Sequence, residues 1–493
     1  MTGVAIPSIH YLAILPVLIF FGAALALLVA SALVKSKVTI NWATATTVAA
    51  AAATLVVAFF QWRCVANTGA STTVAHAVVL DGFAVVGTVA IAASVLLTAL
   101  VAHDWAVRER VAGADFHILA LASSAGALLM VQANDLIVIF LGLEIMSIGL
   151  YVLVGFDRGR ATSSEASLKY FLLGSFASAI FIYGVALIYG ATGSTDLSSI
   201  SYFLGSNVVL RPGLLYAGGA LLLIGFAFKV AAVPFHLWSP DVYEGAPTPV
   251  TGVMASIVKV GAFAAFLRVL ISGLGTQLDT WRPVLWVLVA ATCLVGASVG
   301  LLQRNVKRLL AYSSINQAGF MLLGVWTGSA RGVAGTLFFV LTYAPVVVAT
   351  FCVVTLVGGA GDDAHAIDHY RGLARRQPWL GNALALMLLS QLGAPLTVGF
   401  YAKYTVLAAT IDSGGGALAL IAILSAAIAA VFYLRWVLWL YADSDGDDAH
   451  RRVAVPSSSA FVVAVGVVVV LLFGLWPGPL VTWCQHATLL FLP

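Results

Sequence analysis

The sequence predicts an all-α, polytopic membrane protein. Three observations carry that prediction. Hydrophobic residues make up 61% of the 493. Charged residues make up only 9%, against roughly 25% in ordinary soluble domains. The apolar residues also fall into runs of about twenty, the length that an α-helix needs to cross a bilayer. A soluble chain of this size could not hide so much apolar surface in one core.

Reading the runs in order, with glycine, proline and charge clusters as punctuation, gives about fourteen segments. They lie near 10–34, 42–61, 83–103, 116–132, 135–155, 167–190, 214–239, 249–272, 283–302, 306–326, 332–357, 379–411, 416–441 and 459–482. Segments 4 and 5, and segments 9 and 10, are separated by so few residues that each pair must form an antiparallel hairpin. The first run is too long for a cleavable signal peptide and has no basic leader. No soluble domain is expected; the longest polar stretches are 358–378 and 442–458.

Lysine and arginine set the orientation. Loops after odd-numbered segments hold Lys35, Lys37, Arg108, Arg110, Arg158, Arg160, Arg304, Lys307, Arg308, Arg371, Arg375, Arg376, Arg451 and Arg452. The opposite side holds only Arg63, Arg211, Arg268, Arg282 and Arg331. The odd loops are therefore expected in the cytoplasm, with both termini outside. Arg435 can snorkel to the cytoplasmic interface. The formal net charge of +4 is small and the basic residues form no binding face, so no nucleic-acid partner is expected. Cys64, Cys293, Cys352 and Cys484 match no metal or haem spacing. No Rossmann glycine pattern follows a strand. No cofactor and no metal are expected in this chain.

Four of the 24 basic residues remain inside segments: Lys169, Lys229, Lys259 and Lys403. Of the twenty acidic residues, only Glu144 falls in the middle of one. A charge at mid-bilayer costs about 2.5–3.5 kcal/mol even on the lenient insertion scale. Such residues are kept by partners, by water or by function. Lysine can lose its proton when desolvated and arginine effectively cannot, so four buried lysines without a deeply buried arginine suit a proton carrier. The plainer alternative is a structural ion pair between Glu144 and one lysine. Lys169, near the cytoplasmic end of its segment, could also simply snorkel.

Two prolines add a second signal. Pro234 follows Lys229 by five residues and Pro395 precedes Lys403 by eight. A proline inside a helix removes one hydrogen bond and displaces the carbonyl four residues back, here that of Val230 or Gln391. Proline kinks often only shape packing. Broken helices in corresponding halves of a membrane protein, however, point to an ion or substrate site. The breaks lie in segments 7 and 12, five apart, so they suggest an inverted repeat of segments 4–8 and 9–13. The expected divisions are 1–115, 116–272, 283–441 and 459–493. His236, just past the first break, is either a packing residue or a relay member. Asp241 and Glu244 follow at the cytoplasmic mouth, where they could be merely solvated, and Asp135 reads as a boundary residue.

The segments LGLEIMSIGLYVL around Glu144 and EASLKYFLLGSFASAIFIYG around Lys169 resemble the antiporter-like subunits of respiratory complex I. So does GFAFKVAAVPFHLWSPDVYEGAPTPVTGVMASIVKVGAF, which spans Lys229 to Lys259. RNVKRLLAYSSINQAGF and the Lys403 segment extend the likeness over roughly 80–440. Within that family the chain is most similar to the subunit N type of bacterial proton-translocating NADH–quinone oxidoreductase. The resemblance implies fourteen helices, two inverted five-helix units and broken segments 7 and 12. It implies that Glu144 pairs with Lys229, that Lys259 is the central connecting lysine, and that Lys403 leads to the outer side. Lys169 and His236 match further members of the proton-relay axis. It also implies a bacterial plasma (inner) membrane location and other complex I membrane subunits and a peripheral arm as partners. FMN, iron–sulfur clusters and quinone would sit on those partner chains. One departure is visible: the family's twelfth-helix break often reads Pro-Pro and then Gly-Lys, whereas this chain has Ala394-Pro395 and Ala402-Lys403. A subunit of an Mrp-type cation/proton antiporter, which shares this fold and these lysines, is the alternative.

Overall fold

A computed structural model describes residues 9–33, 38–111, 113–443, 452–487 and 489. Lys35, Lys37 and Arg451, and the outward placement of both termini, lie outside the described residues. The chain is almost entirely helical. Among the described residues, twelve helices are long and apolar enough to cross a membrane. Ten of them fall on expected segments 1–6, 8, 9, 11 and 13, an eleventh is the first half of segment 7, and the twelfth is segment 14. Expected segment 10 is the helix Val306–Trp326, whose serines, Asn316 and Gln317 dilute its apolar character. Expected segment 12 is two helices, Pro378–Leu392 and Val398–Asp412.

Capping explains where several helices start. An Asp, Asn, Ser or Thr at the N-cap accepts from a main-chain N–H that the first turn leaves without a partner. Asp81 accepts from Ala84 N at 2.7 Å, and Asp135 accepts from Ile137 N at 2.7 Å. Asn305 accepts from Lys307 N at 2.9 Å. Asp135 is thus the boundary residue that its position suggested. It also takes the Thr195 hydroxyl at 2.6 Å.

Segments 4 (Asp115–Gln132) and 5 (Leu136–Val154) pack as the expected hairpin, as do segments 9 (Leu278–Gly300) and 10. Glycine brings both pairs into close approach. A Cβ on Gly126 would sit 2.5 Å from Met146 N, and one on Gly319 would sit 3.0 Å from Cys293 N. Small residues at such crossings let helix backbones approach closely in lipid.

Two helices are buried along their whole apolar length: segment 8 (Thr248–Gly273) and segment 11 (Ala330–Gly358). Segments 1 and 14 are only one-third buried and lie at the periphery. Segment 8 carries Lys259 through the centre of the protein. It includes two π-helical turns, Met254–Val258 directly before Lys259 and Arg268–Gly273. No sequence signal marked these. Two small elements also went unforeseen: the short helix Leu197–Ser206 and a hairpin of Ser71–Thr73 with Val78–Leu80.

Candidate functional site

The two broken helices frame the site. Segment 7 ends its first half at Lys229 and resumes at Trp238–Gly245, leaving 230–237 unwound around Pro234. Segment 12 is unwound over 393–397 around Pro395, with Gly393 at φ 94°. Freed main-chain groups at membrane depth must find protein or water, and both breaks are met by protein. Trp238 Nε1 donates to Phe228 O across the first break at 3.0 Å, and Val233 N donates to Thr292 Oγ1 at 2.9 Å. At the second, Gln391 O, one of the two carbonyls expected to be displaced, accepts from Gln317 Nε2 at 2.6 Å.

Three lysines lie within this frame. Lys229, Lys259 and Lys403 are only 3%, 5% and 6% exposed. Lys229 Nζ donates to Ser147 Oγ at 2.6 Å and lies 3.4 Å from Tyr170 OH. Tyr170 in turn stacks on Trp238, at 4.7 Å between ring centroids. Lys259 Nζ donates to the main-chain carbonyl of Ser314 in segment 10 and lies 5.8 Å from the Tyr343 ring. Lys403 Nζ donates to Leu392 O at 2.7 Å and sits 4.7 Å from the Phe320 ring. Among the described residues, none of the three has a carboxylate within ion-pair distance. Each ammonium is held by neutral oxygens and aromatic faces.

Hydroxyl and amide groups fill the space between the lysines. Tyr243 OH and Tyr343 OH both reach Ser314 Oγ at 3.4 Å. Gln317 also donates to Tyr433 OH at 3.2 Å, and Gln391 donates to Thr350 Oγ1 at 2.9 Å. A cavity of about 20 Å³ is lined by Tyr343, Gln317, Gln391 and Ala402. That volume holds one water molecule. Hydroxyls, amides and water both donate and accept, so they can pass a proton between ammonium groups too far apart to touch.

Several expectations need correction. Glu144 and Lys229 form no direct ion pair. Glu144 is half-buried and accepts from the Ser178 hydroxyl, while Lys229 bonds Ser147, one helical turn further along segment 5. Lys169 is not deeply buried: its side chain is 43% exposed and pairs with Glu165 at 2.7 Å and Asp241 at 2.8 Å. Segment 6 begins at Ala161 and helical side chains lean toward the N-terminus, so Lys169 reaches back toward the start of its helix, beside Glu165 and Asp241. Asp241 and Glu244 are not simply solvated. Arg308 bridges them at 2.8 Å to each, and Asn305 donates to Glu244 at 2.9 Å. His236 is buried beside the first break.

The expectation of no deeply buried arginine also fails. Arg268 is 1% exposed and makes a two-pronged bond to Asp81, at 2.8 and 2.9 Å. It also donates to Val131 O at 3.0 Å. Arg268 lies near the end of segment 8, where it was expected at the interface, but Asp81 and the Val131 carbonyl meet it inside the protein. Lys307, expected in a cytoplasmic loop, is fully buried and donates to Ala246 O at 2.6 Å.

Residues 133–429 match the family model described as NADH:quinone oxidoreductase/Mrp antiporter, TM. The chain belongs to that family. A Streptomyces griseus protein named NADH-quinone oxidoreductase subunit N 3 is 44% identical over 384 residues, covering 76% of this chain and 69% of that protein. A chain of respiratory complex I from Thermus thermophilus, solved with bound aureothin, matches with a TM-score of 0.80 at 32% identity. The match covers 96% of this chain and all of that one. A chain of the Mrp complex from Dietzia sp. DQ12-45-1b gives a TM-score of 0.83 at 22% identity, over 97% and 96% of the two chains. At that identity the likeness is one of fold.

The matched region holds both helix breaks and Glu144, Lys229, Lys259 and Lys403. It also holds the groups that sequence reading passed over: Ser147, Tyr170, Tyr243, Ser314 and Gln317. One signal was available for two of them. AYSSINQAG in segment 10 is unusually polar for a membrane helix, and both Ser314 and Gln317 lie in it.

Proposed function

We propose that this chain is a membrane-arm subunit of a proton-translocating NADH:quinone oxidoreductase. It carries protons through a buried file of Glu144, Lys229, Lys259 and Lys403, with Lys169 and His236 as further members toward the cytoplasm. The observation that carries this reading is the absence of a carboxylate beside Lys229, Lys259 and Lys403 among the described residues. Buried charges kept for structure are paired; these three are bonded to hydroxyls and carbonyls instead. An ammonium with neutral oxygen partners can give up its proton without leaving an unpaired carboxylate behind.

The two inverted units, segments 4–8 and 9–13, are part of the proposal, as are fourteen crossings and the divisions 1–115, 116–272, 283–441 and 459–493. Support comes from the breaks in segments 7 and 12 and from the glycine-mediated hairpins 4–5 and 9–10, each five segments apart. The basic side is the cytoplasmic face of a bacterial plasma membrane, and both termini lie outside. Redox chemistry then belongs to partner chains holding FMN, iron–sulfur clusters and quinone, and the energy reaches this chain through neighbouring membrane subunits. Purification in mild detergent tests the assignment. NADH-oxidising partners and antiporter-like neighbours are expected to come with the chain. Co-purification with cation-antiporter subunits alone, without NADH oxidation, would assign it to the Mrp branch.

A further inference from the structure

We propose that a cavity beside the first helix break holds one hydrocarbon chain of a membrane phospholipid, lying against the unwound stretch of segment 7. The cavity has a volume of about 480 Å³, within the range of about 300–1,000 Å³ that ligand pockets occupy. It lies between the first half of segment 7 (Pro212–Lys229), the end of segment 8 and the start of segment 9. Among the described residues, no charged side chain lines it.

The lining changes character along its length. Tyr216, Gln277 and Thr280 stand near the helix ends and supply the polar groups. Ile224 and Leu288 lie further in, with Pro234 and Phe235 of the break. Val233 N donates to Thr292 Oγ1 at 2.9 Å, one turn beyond Leu288, which places Pro234 at this inner, apolar end. Tyr216 to Ile224 on segment 7, and Thr280 to Leu288 on segment 9, each rise about 12 Å. That is close to the depth of one leaflet, half of a hydrocarbon core of about 30 Å. The walls are held in shape: Leu215, Leu223, Leu270 and Leu274 are buried, and Trp281 Nε1 donates to Leu274 O at 3.0 Å, tying segment 9 to the end of segment 8. On the side of segment 7 a glycine opens the space, since a Cβ on Gly219 would meet nothing within 4 Å.

Protein interiors leave few voids larger than a water molecule, and an apolar cavity stays free of water and takes up apolar molecules instead. Spread over its length, 480 Å³ leaves a slot about 7 Å wide, too narrow for an α-helix, which measures about 10–12 Å across with its side chains. A hydrocarbon chain fits. Tyr216 and Val284, 50% and 51% exposed, stand at the rim, so the slot opens on an apolar face of two membrane helices. The tyrosine, glutamine and threonine at its outer end can donate to the ester oxygens of a phospholipid. Pro234 is exposed and Phe235 half-buried in this chain, so a chain seated in the slot packs against the break that follows Lys229.

The test uses the chain purified in mild detergent with the partners it brings, stripped of loosely held lipid. It is then given phosphatidylglycerol or phosphatidylethanolamine at a few molecules per complex, too few to form an annulus. Each lipid carries a photoreactive diazirine, either near the ester or at the end of one chain, and mass spectrometry maps the cross-linked peptides. The chain-end probe is expected at Pro234, Phe235 or Leu288, and the ester-proximal probe at Tyr216, Gln277 or Thr280. Both lipids should label alike. Gly219→Leu fills the slot from a position where the protein leaves room, and leucine is the better helix former, so the variant should fold. Its labelling should fall at least about tenfold as overpacking excludes the chain, whereas Gly219→Ala should keep most of it. Equal labelling in wild type and Gly219→Leu, or labels that ignore the depth of the probe, would overturn the site. No label at these residues would also overturn it and would leave a neighbouring subunit as the occupant. Strict dependence on the head group would overturn the assignment to the hydrocarbon chain. Labelling displaced by an isoprenoid quinone but not by excess unlabelled phospholipid would overturn the lipid.

Discussion

Lys403 Nζ lies 2.7 Å from the main-chain oxygen of Leu392. The second half of segment 12 thus reaches back across its own break and occupies an acceptor at the end of the first half. The bond needs a donor but not a proton carrier, so substitutions can separate the two. Lys403→Gln can still donate to Leu392 O but cannot carry a proton as an ammonium does. It is expected to assemble and to lose proton pumping by at least about tenfold, given what a positioned acid–base group contributes. Pumping in membrane vesicles, with assembly checked on a native gel, measures both. An assembled Lys403→Gln variant that pumps normally would reduce this lysine to a structural brace.

Glu144 is expected to tune Lys229 without an ion pair between them. Ser147, one turn beyond Glu144 on segment 5, accepts the bond of Lys229 from segment 7 at 2.6 Å. Glu144→Gln keeps an acceptor for the Ser178 hydroxyl, so assembly should survive. Pumping should fall, because the opposite charge that favours protonated Lys229 is gone. Glu144→Asp should retain more activity than Glu144→Gln. Equal pumping in wild type and Glu144→Gln would show the carboxylate to be dispensable.

Asp362 makes the clearest stability prediction. It is 3% exposed and accepts from Thr248 N at 3.0 Å and Thr248 Oγ1 at 2.7 Å, at the start of segment 8. Lys307 is 3.5 Å away, Arg160 3.7 Å and His365 3.2 Å. Burial alone would push the Asp362 carboxyl up, but Lys307 and His365 together with the Thr248 bond hold it well below the usual carboxylate range. Its pKa is thus lower folded than unfolded. The stabilisation is fully present above the unfolded value of about 3.9 and is lost as pH falls toward the folded one. No change from this group is expected between about pH 5 and pH 8. Asp362→Asn leaves Lys307 buried without its counter-charge, at a cost of about 3–5 kcal/mol. Heating the assembled complex at pH 7 should dissociate the variant at a clearly lower temperature; an unchanged midpoint would contradict the pairing.

Topology can be tested with two single cysteines. Asp196 caps a helix, accepting from Ser199 N at 2.7 Å, so the neighbouring Leu210, 92% exposed, is the better outer position. Asp363, with a side chain 77% exposed, serves the other face. Leu210→Cys should react with an impermeant thiol reagent from outside, and Asp363→Cys only after the membrane is opened. Labelling from the same side would contradict an odd number of crossings between them.

Much of this architecture was legible because lipid is a strict solvent. Apolar runs of fixed length, prolines and stranded lysines are all visible as letters, so both helix breaks and the three central lysines could be read directly. What was missed involves groups that look ordinary in sequence. Ser147, Tyr170 and Tyr343 sit inside apolar helices and gain meaning only when another helix brings an ammonium to them. The Arg268–Asp81 pair was hidden because each residue lies near the end of its run, where a charge reads as interfacial. The π-helical turn before Lys259 has no residue signature. For Lys169 the sequence left burial and snorkelling open; segment 6 starts at Ala161, earlier than its apolar run, and the side chain is partly exposed and paired with Glu165 and Asp241.

Lys229→Arg is the most direct test of the proton file. Lys229 is 3% exposed and bonded only to Ser147 and Tyr170 among the hydrogen bonds of the described residues. Arginine keeps the positive charge and can still donate to Ser147, but it cannot release its proton, since its pKa exceeds about 12. A structural charge therefore tolerates the change, and a carrier does not. The measurement is proton pumping by reconstituted complex, normalised to fully assembled particles on a native gel so that a packing defect from the larger side chain is excluded. The predicted result is an assembled Lys229→Arg complex whose pumping is lost. An assembled variant that pumps at the wild-type rate would contradict it.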